Sequence, residues 1–134
     1  MRINTYIWLK PDKINDMSVS YIHHKGKKIM YIDYSKCKTV EETLNVLEQV
    51  RQEYLKTTEM VLVLNDFRDA YASKEYIKKV SELGKELFTL RTKKSAAIGV
   101  VGLKKVFVNA YNVFAKNKVT MFNSKEEALD WLSV

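Results

Sequence analysis

Residues 59–73 read EMVLVLNDFRDAYAS, and the architecture of the chain turns on them. Met60 to Leu64 form an unbroken apolar run. A strand covered on both faces reads this way, whereas a strand with one wet face alternates. The run gives way to Asn65, Asp66, Arg68 and Asp69, and Ser73 then opens a long helical pattern. Buried strand, polar loop and capped helix describe the carboxyl edge of an α/β sheet, where such folds place their ligands.

Working toward the N-terminus, Thr39-Val-Glu-Glu42 is a capping box, in which threonine and glutamate satisfy each other's backbone N–H. The helix it opens carries Val40, Leu44, Leu47, Val50 and Tyr54 on one face and ends near Leu55. Before it, Ser18–Lys25 and Ile29–Tyr34 predict a β-hairpin that turns at Gly26-Lys27. Ile3–Leu9, closed by Pro11, reads as an extra edge strand or an arm within residues 1–16.

Toward the C-terminus, a helix is expected over Ser73–Leu90, with Ile77, Val80, Gly84, Leu87 and Phe88 as its apolar stripe. Gly84 there allows close packing. Ser95–Val101 is a second apolar strand, and Gly102 leads into a third helix. Leu103, Val106, Phe107, Ala110, Tyr111 and Phe114 are its expected buried face, opposite Lys104, Lys105, Asn109 and Asn112. Val119–Phe122 is a last strand, and the capping box Ser124-Lys-Glu-Glu127 starts a final helix burying Leu129 and Leu132. The sum is a single α/β domain over 1–134, of order β-β-α-β-α-β-α-β-α. Its sheet of about five strands is mainly parallel, with an antiparallel N-terminal hairpin and about four helices.

This order resembles the STAS/SEC14-type, SpoIIAA-like domains over roughly residues 17–134. The resemblance is carried by YIDYS before a capped helix, LVLNDFRDAYASKEYI, AAIGVVG followed by LKKVFVNAY, and the ending MFNSKEEALDWL. It implies a bacterial-type regulatory or ligand-binding module that is not an enzyme. Its SEC14 side implies a small apolar or lipid ligand. Antagonists of anti-sigma factors in this family switch by phosphorylation of a serine at the start of the helix after the third strand, and Ser73 lies closest to that position. This chain lacks the Asp-Ser-Ser-Gly run that frames the phosphoserine there.

In a parallel sheet the loops after the strands emerge at one edge, so Asp66, Arg68, Asp69, Ser73, Gly102, Lys104 and Lys105 are the candidate ligand- or partner-binding set. Arg68 and Lys104 are expected to serve recognition and not stability. Ser73 also suits a helix N-cap, and Asp66 and Asp69 suit loop turns. Gly99-Val-Val-Gly102-Leu-Lys-Lys105 favours an anion through backbone N–H groups and the helix dipole, without the spacing of a nucleotide P-loop.

The net charge of +7 favours anionic partners in general. The lysines are scattered in pairs and not gathered on a stripe with stacking aromatics, which argues against nucleic acid and leaves weak electrostatic binding of nucleic acid or another polyanion as the alternative reading. His23 and His24 are neighbours in a strand and face opposite ways, so they make no chelating pair. No residue pattern calls for a catalytic set, a metal or another cofactor. Cys37 stands alone and no N-glycosylation sequon occurs, which suits the cytoplasm. No stretch reads as a membrane span. The unknowns are the ligand or protein partner and any oligomer.

Overall fold

The computed structural model describes residues 18–134. The extra strand expected over Ile3–Leu9 lies outside the described residues. Five strands form one sheet in sequential order: β1 (Val19–His24), β2 (Lys27–Asp33), β3 (Val61–Asp66), β4 (Thr92–Ile98) and β5 (Val119–Phe122). β1 and β2 are antiparallel, and the other pairs are parallel. The hairpin turns at Lys25-Gly26, one residue earlier than expected, with both residues at positive φ. That mirror-image turn follows the twist of the strands it joins.

Helix α1 (Val40–Leu55) starts at the Thr39 capping box, and both of its arms are formed. Helix α2 (Lys74–Leu83) is capped by Ser73, runs into a π-helical segment at Gly84–Phe88, and closes with one α-turn at Thr89–Arg91. A Cβ on Gly84 would lie 2.8 Å from the Tyr111 hydroxyl oxygen, so this glycine permits the close packing expected of it. Helices α3 (Leu103–Phe114) and α4 (Lys125–Leu132) complete the chain.

Right-handed crossovers that step in one direction across a sheet put their helices on one face. Accordingly α1, α2 and the π-helical segment bury Val46, Leu47, Val50, Tyr54, Leu83 and Phe88 against Met30, Ile32 and Val63. Val108 of α3 packs beside Ala97 on the same face. The other face carries Ile29, Leu64, Ala96 and Ile98, covered by Ala128, Leu129 and Leu132 of α4. Coverage on both sides explains the apolar runs of β3 and β4.

Three local expectations are corrected. Asn65 and Asp66 belong to β3 and not to the loop, while Met60 lies outside the strand and is 53% exposed. β4 begins at Thr92 and ends before Gly99, whose φ of 74° breaks the ladder, leaving Val101 exposed. Of its expected face, helix α3 half-buries Phe107 and Tyr111 and leaves Leu103, Val106, Ala110 and Phe114 exposed. Val108 is its only buried residue, and Leu103, Val106, Val113 and Phe114 are 59–76% exposed. Periodicity defines an apolar arc, but burial needs something to cover it. β5, the edge strand beside β4, is only four residues long and offers little surface.

Candidate functional site

Asp66 closes β3 with its side chain on the α4 face of the sheet, alongside Tyr31, whose hydroxyl donates to Oδ2 at 2.5 Å. Two residues on, Arg68 folds back as a fork: Nε donates to Oδ1 at 2.9 Å, Nη2 to Oδ2 at 2.7 Å, and the backbone N–H to Oδ1 at 3.1 Å. Asp66 is 1% exposed. Burial opposes its charged form, but the Arg68 fork and the Tyr31 hydroxyl outweigh that, so its carboxyl titrates below the ordinary value. The Tyr31 hydroxyl is pushed well up, by burial first and by the Asp66 carboxylate second. A carboxylate held ionised by four donors from two residues is a structural anchor and a poor general base at neutral pH.

The remaining candidates are bound into the same edge. A Cβ on Gly99 would lie 2.4 Å from the Arg68 backbone nitrogen, so the loops after β3 and β4 touch and only glycine fits between them. The Phe67 N–H donates to the Ile98 carbonyl at 2.9 Å, and the Phe67 carbonyl accepts Lys104 Nζ at 2.7 Å. Asp69, at φ 58°, presents its carbonyl to Lys38 Nζ at 2.9 Å. The Ser73 hydroxyl oxygen accepts the Tyr76 N–H at 3.1 Å, and the residue is buried. A kinase would have to open this cap to reach it. Gly102, at φ 60°, and Lys105 are exposed at the start of α3. Arg68 and Lys104, expected to be free for recognition, both brace the 66–70 loop.

Between the sheet and the helices α1, α2 and α3 lie two overlapping apolar cavities of about 80 and 30 Å³, the smaller beneath this edge and the larger running from it to Thr92 at the start of β4. Both are lined by Tyr34, Phe67, Tyr76, Ile77, Phe107 and Val108. Lys104 lines the smaller, while Asn65, Thr92, Ser95 and Asn117 add polar groups to the larger. The Tyr76 hydroxyl donates to that of Tyr34 at 3.1 Å, and Phe67 stacks on Tyr34 with centroids 4.9 Å apart. Sequence reasoning missed Phe67, having treated its loop as polar throughout. An aromatic ring between Asp66 and Arg68 was the available signal, because in a loop it must find cover inward.

Cys37 follows β2 at this edge, where its N–H donates to the Tyr34 carbonyl and its carbonyl accepts the Tyr71 N–H, while the histidine pair is remote. His24 Nε2 meets Asp130 Oδ1 at 2.8 Å, beside the hairpin turn at the opposite end of the sheet. Cys37 is buried in the larger core. No helix among the described residues is long and apolar enough to cross a membrane.

No family model and no curated protein matches the chain. It is similar in structure to a crystal structure of an uncharacterized DUF3478-family protein with a SpoIIAA-like fold from Shewanella loihica PV-4. The TM-score is 0.65 at 18% identity, over 85% of this chain and 91% of that one. A mixed sheet with one antiparallel hairpin, parallel neighbours and four helices agrees with it, and the chain has a SpoIIAA-like fold.

Proposed function

We infer that this chain is a non-enzymatic, STAS-like binding module that takes a small ligand with an apolar body and an anionic group beneath the loop edge of its sheet. The observation that carries this reading is the pair of overlapping apolar cavities that start under that edge, with Lys104 in the lining of one. Ligand sites are concave, mostly apolar and oriented by a few polar groups. Lys104 donates one hydrogen bond to Phe67, and an ammonium has three donors, so its charge remains available to an anion. The volume favours a compact ligand over an acyl chain, being well below the roughly 150 Å³ of a cavity that admits benzene. Of the loop-edge set, Lys104 alone lines a cavity. Asp66, Arg68, Asp69 and Ser73 hold the loop that carries Phe67, Ala70 and Tyr71 into the lining, and Gly102 and Lys105 open α3 beside Lys104.

NMR titration with acetate and butyrate tests the reading. Amide shifts are expected at Tyr34, Phe67, Phe107 and Val108, and Ile77→Trp, which fills the cavity, should weaken them at least about tenfold. Ile77 is half-buried, so the fold can accommodate the change at modest cost. Shifts confined to surface lysines, or unaltered by Ile77→Trp, would show that the cavity is not the site.

A further inference from the structure

Helix α3 half-buries Phe107 and Tyr111 but presents the rest of its apolar arc to solvent. Leu103, Val106, Ala110, Val113 and Phe114 recur at three- and four-residue spacing and share one helical face. All five are exposed, Leu103, Val106, Val113 and Phe114 by 61%, 59%, 71% and 76%. Val101, 68% exposed, extends the strip beyond the helix N-terminus. Scattered exposed leucines and valines are ordinary, but a contiguous strip along one helix marks an interaction surface.

The charge around the strip selects the occupant. From Leu87 to Lys125 the chain contains no Asp or Glu, while Arg and Lys recur throughout. Lys105 falls on one flank of the apolar arc, together with Asn109, and Lys116 follows just past the helix C-terminus. Lys85, from the π-helical segment, lies over the Phe114 ring at 5.8 Å on the other flank. Glu86 neighbours Lys85 in its segment, but α3 itself carries no acid, and an apolar face edged by lysines on such a helix is the pattern of a helix lying in the headgroup region of an anionic bilayer. A second copy fits less well. Pairing this face with itself would bring lysine flanks together with no acidic partner from the same segment.

We propose that α3 is an interfacial helix that docks the protein reversibly on anionic membrane surfaces, with Val106, Val113 and Phe114 inserted among the lipids and Lys105 and Lys116 on the headgroups. This surface lies on the outer side of α3, away from the cavity, and stands whether or not the cavity binds a ligand. Twelve residues bury too little apolar area for permanent anchoring, so binding should be weak, salt-sensitive and dependent on both contributions.

The test is co-sedimentation of the full chain with phosphatidylcholine vesicles containing about one-third phosphatidylserine, against pure phosphatidylcholine, at low and high salt. The protein should partition onto the anionic vesicles and leave them at high salt. Phe114→Asn with Val106→Asn, and separately Lys105→Glu with Lys116→Glu, should each lower partitioning about tenfold or more while the melting temperature stays near that of the parent. All four side chains are largely exposed, so the variants should fold. Equal partitioning onto neutral vesicles, no partitioning at all, or unchanged partitioning of both variants would overturn the proposal. So would a concentration-dependent dimer, seen by sedimentation velocity and dissolved by Phe114→Asn with Val106→Asn, in a protein that does not bind the vesicles.

Discussion

Two glycines that look alike in the sequence do different work. Gly99 and Gly102 both adopt positive φ, but a Cβ on Gly99 would strike the backbone of Arg68, and one on Gly102 would meet nothing within 4 Å. Gly102→Ala should cost about 1–3 kcal/mol from backbone strain alone. Gly99→Ala should cost more, roughly 2–5 kcal/mol, because rigid backbone cannot step aside. Denaturant titration of the two variants checks this order, and equal losses would contradict it. Asp66 carries a pH signature. Its folded carboxyl titrates below its ordinary value, so its stabilising contribution is present above about pH 4 and is lost as pH falls through the lowered value. The stability difference between the parent and Asp66→Asn should therefore be largest near neutrality and shrink in acid. A constant difference from pH 7 to about pH 2 would mean that the Arg68 fork does not hold the carboxylate in solution. Arg68→Ala should cost about 1–3 kcal/mol, since it leaves a buried acceptor under-satisfied.

Among the elements, β3 and α3 show opposite relations between pattern and burial. Leu64 is fully buried under α4, and Leu64→Ala should cost about 2–5 kcal/mol. Leu62, two residues earlier on the same face, is only partly buried at the margin of that cluster and should cost less. In α3, Val108→Ala should destabilise measurably, while Val113→Ala should stay within about 0.5 kcal/mol. Thermal unfolding of the four variants gives the comparison. A costly Val113→Ala would show that the outer face of α3 is covered in the free protein.

For the whole molecule, several carboxyls stand below their ordinary values. They include Asp66, as above; Glu48, held chiefly by Arg51; and Glu53, whose bonds from Lys56 and Tyr21 outweigh its burial. Each contributes stability above its unfolded value, so the sum should decline as pH drops below about 4. The exposed pairs add little, and Asp66 should dominate. Acid titration followed by circular dichroism, with and without Asp66→Asn, measures that share. A parent that loses no stability down to about pH 2 would refute this account.

The sequence by itself determined the order of elements, both central strands, the α1 capping box, the Ser73 cap and the hairpin, because these depend on neighbours a few residues apart. It also determined that the loops after β3 and β4 share an edge, since parallel pairing allows no other arrangement. Tertiary structure decided which candidates are free. Arg68 and Lys104 carry the charges expected of a binding site, yet their partners, Asp66 and the Phe67 carbonyl, become visible only when the loop closes. It also decided that Phe67 turns inward and that Leu103, Val106, Ala110 and Phe114 of α3 stay in solvent. A periodic pattern states which residues share a face. What covers that face depends on how much sheet lies beneath it, and here β5 is too short to supply it.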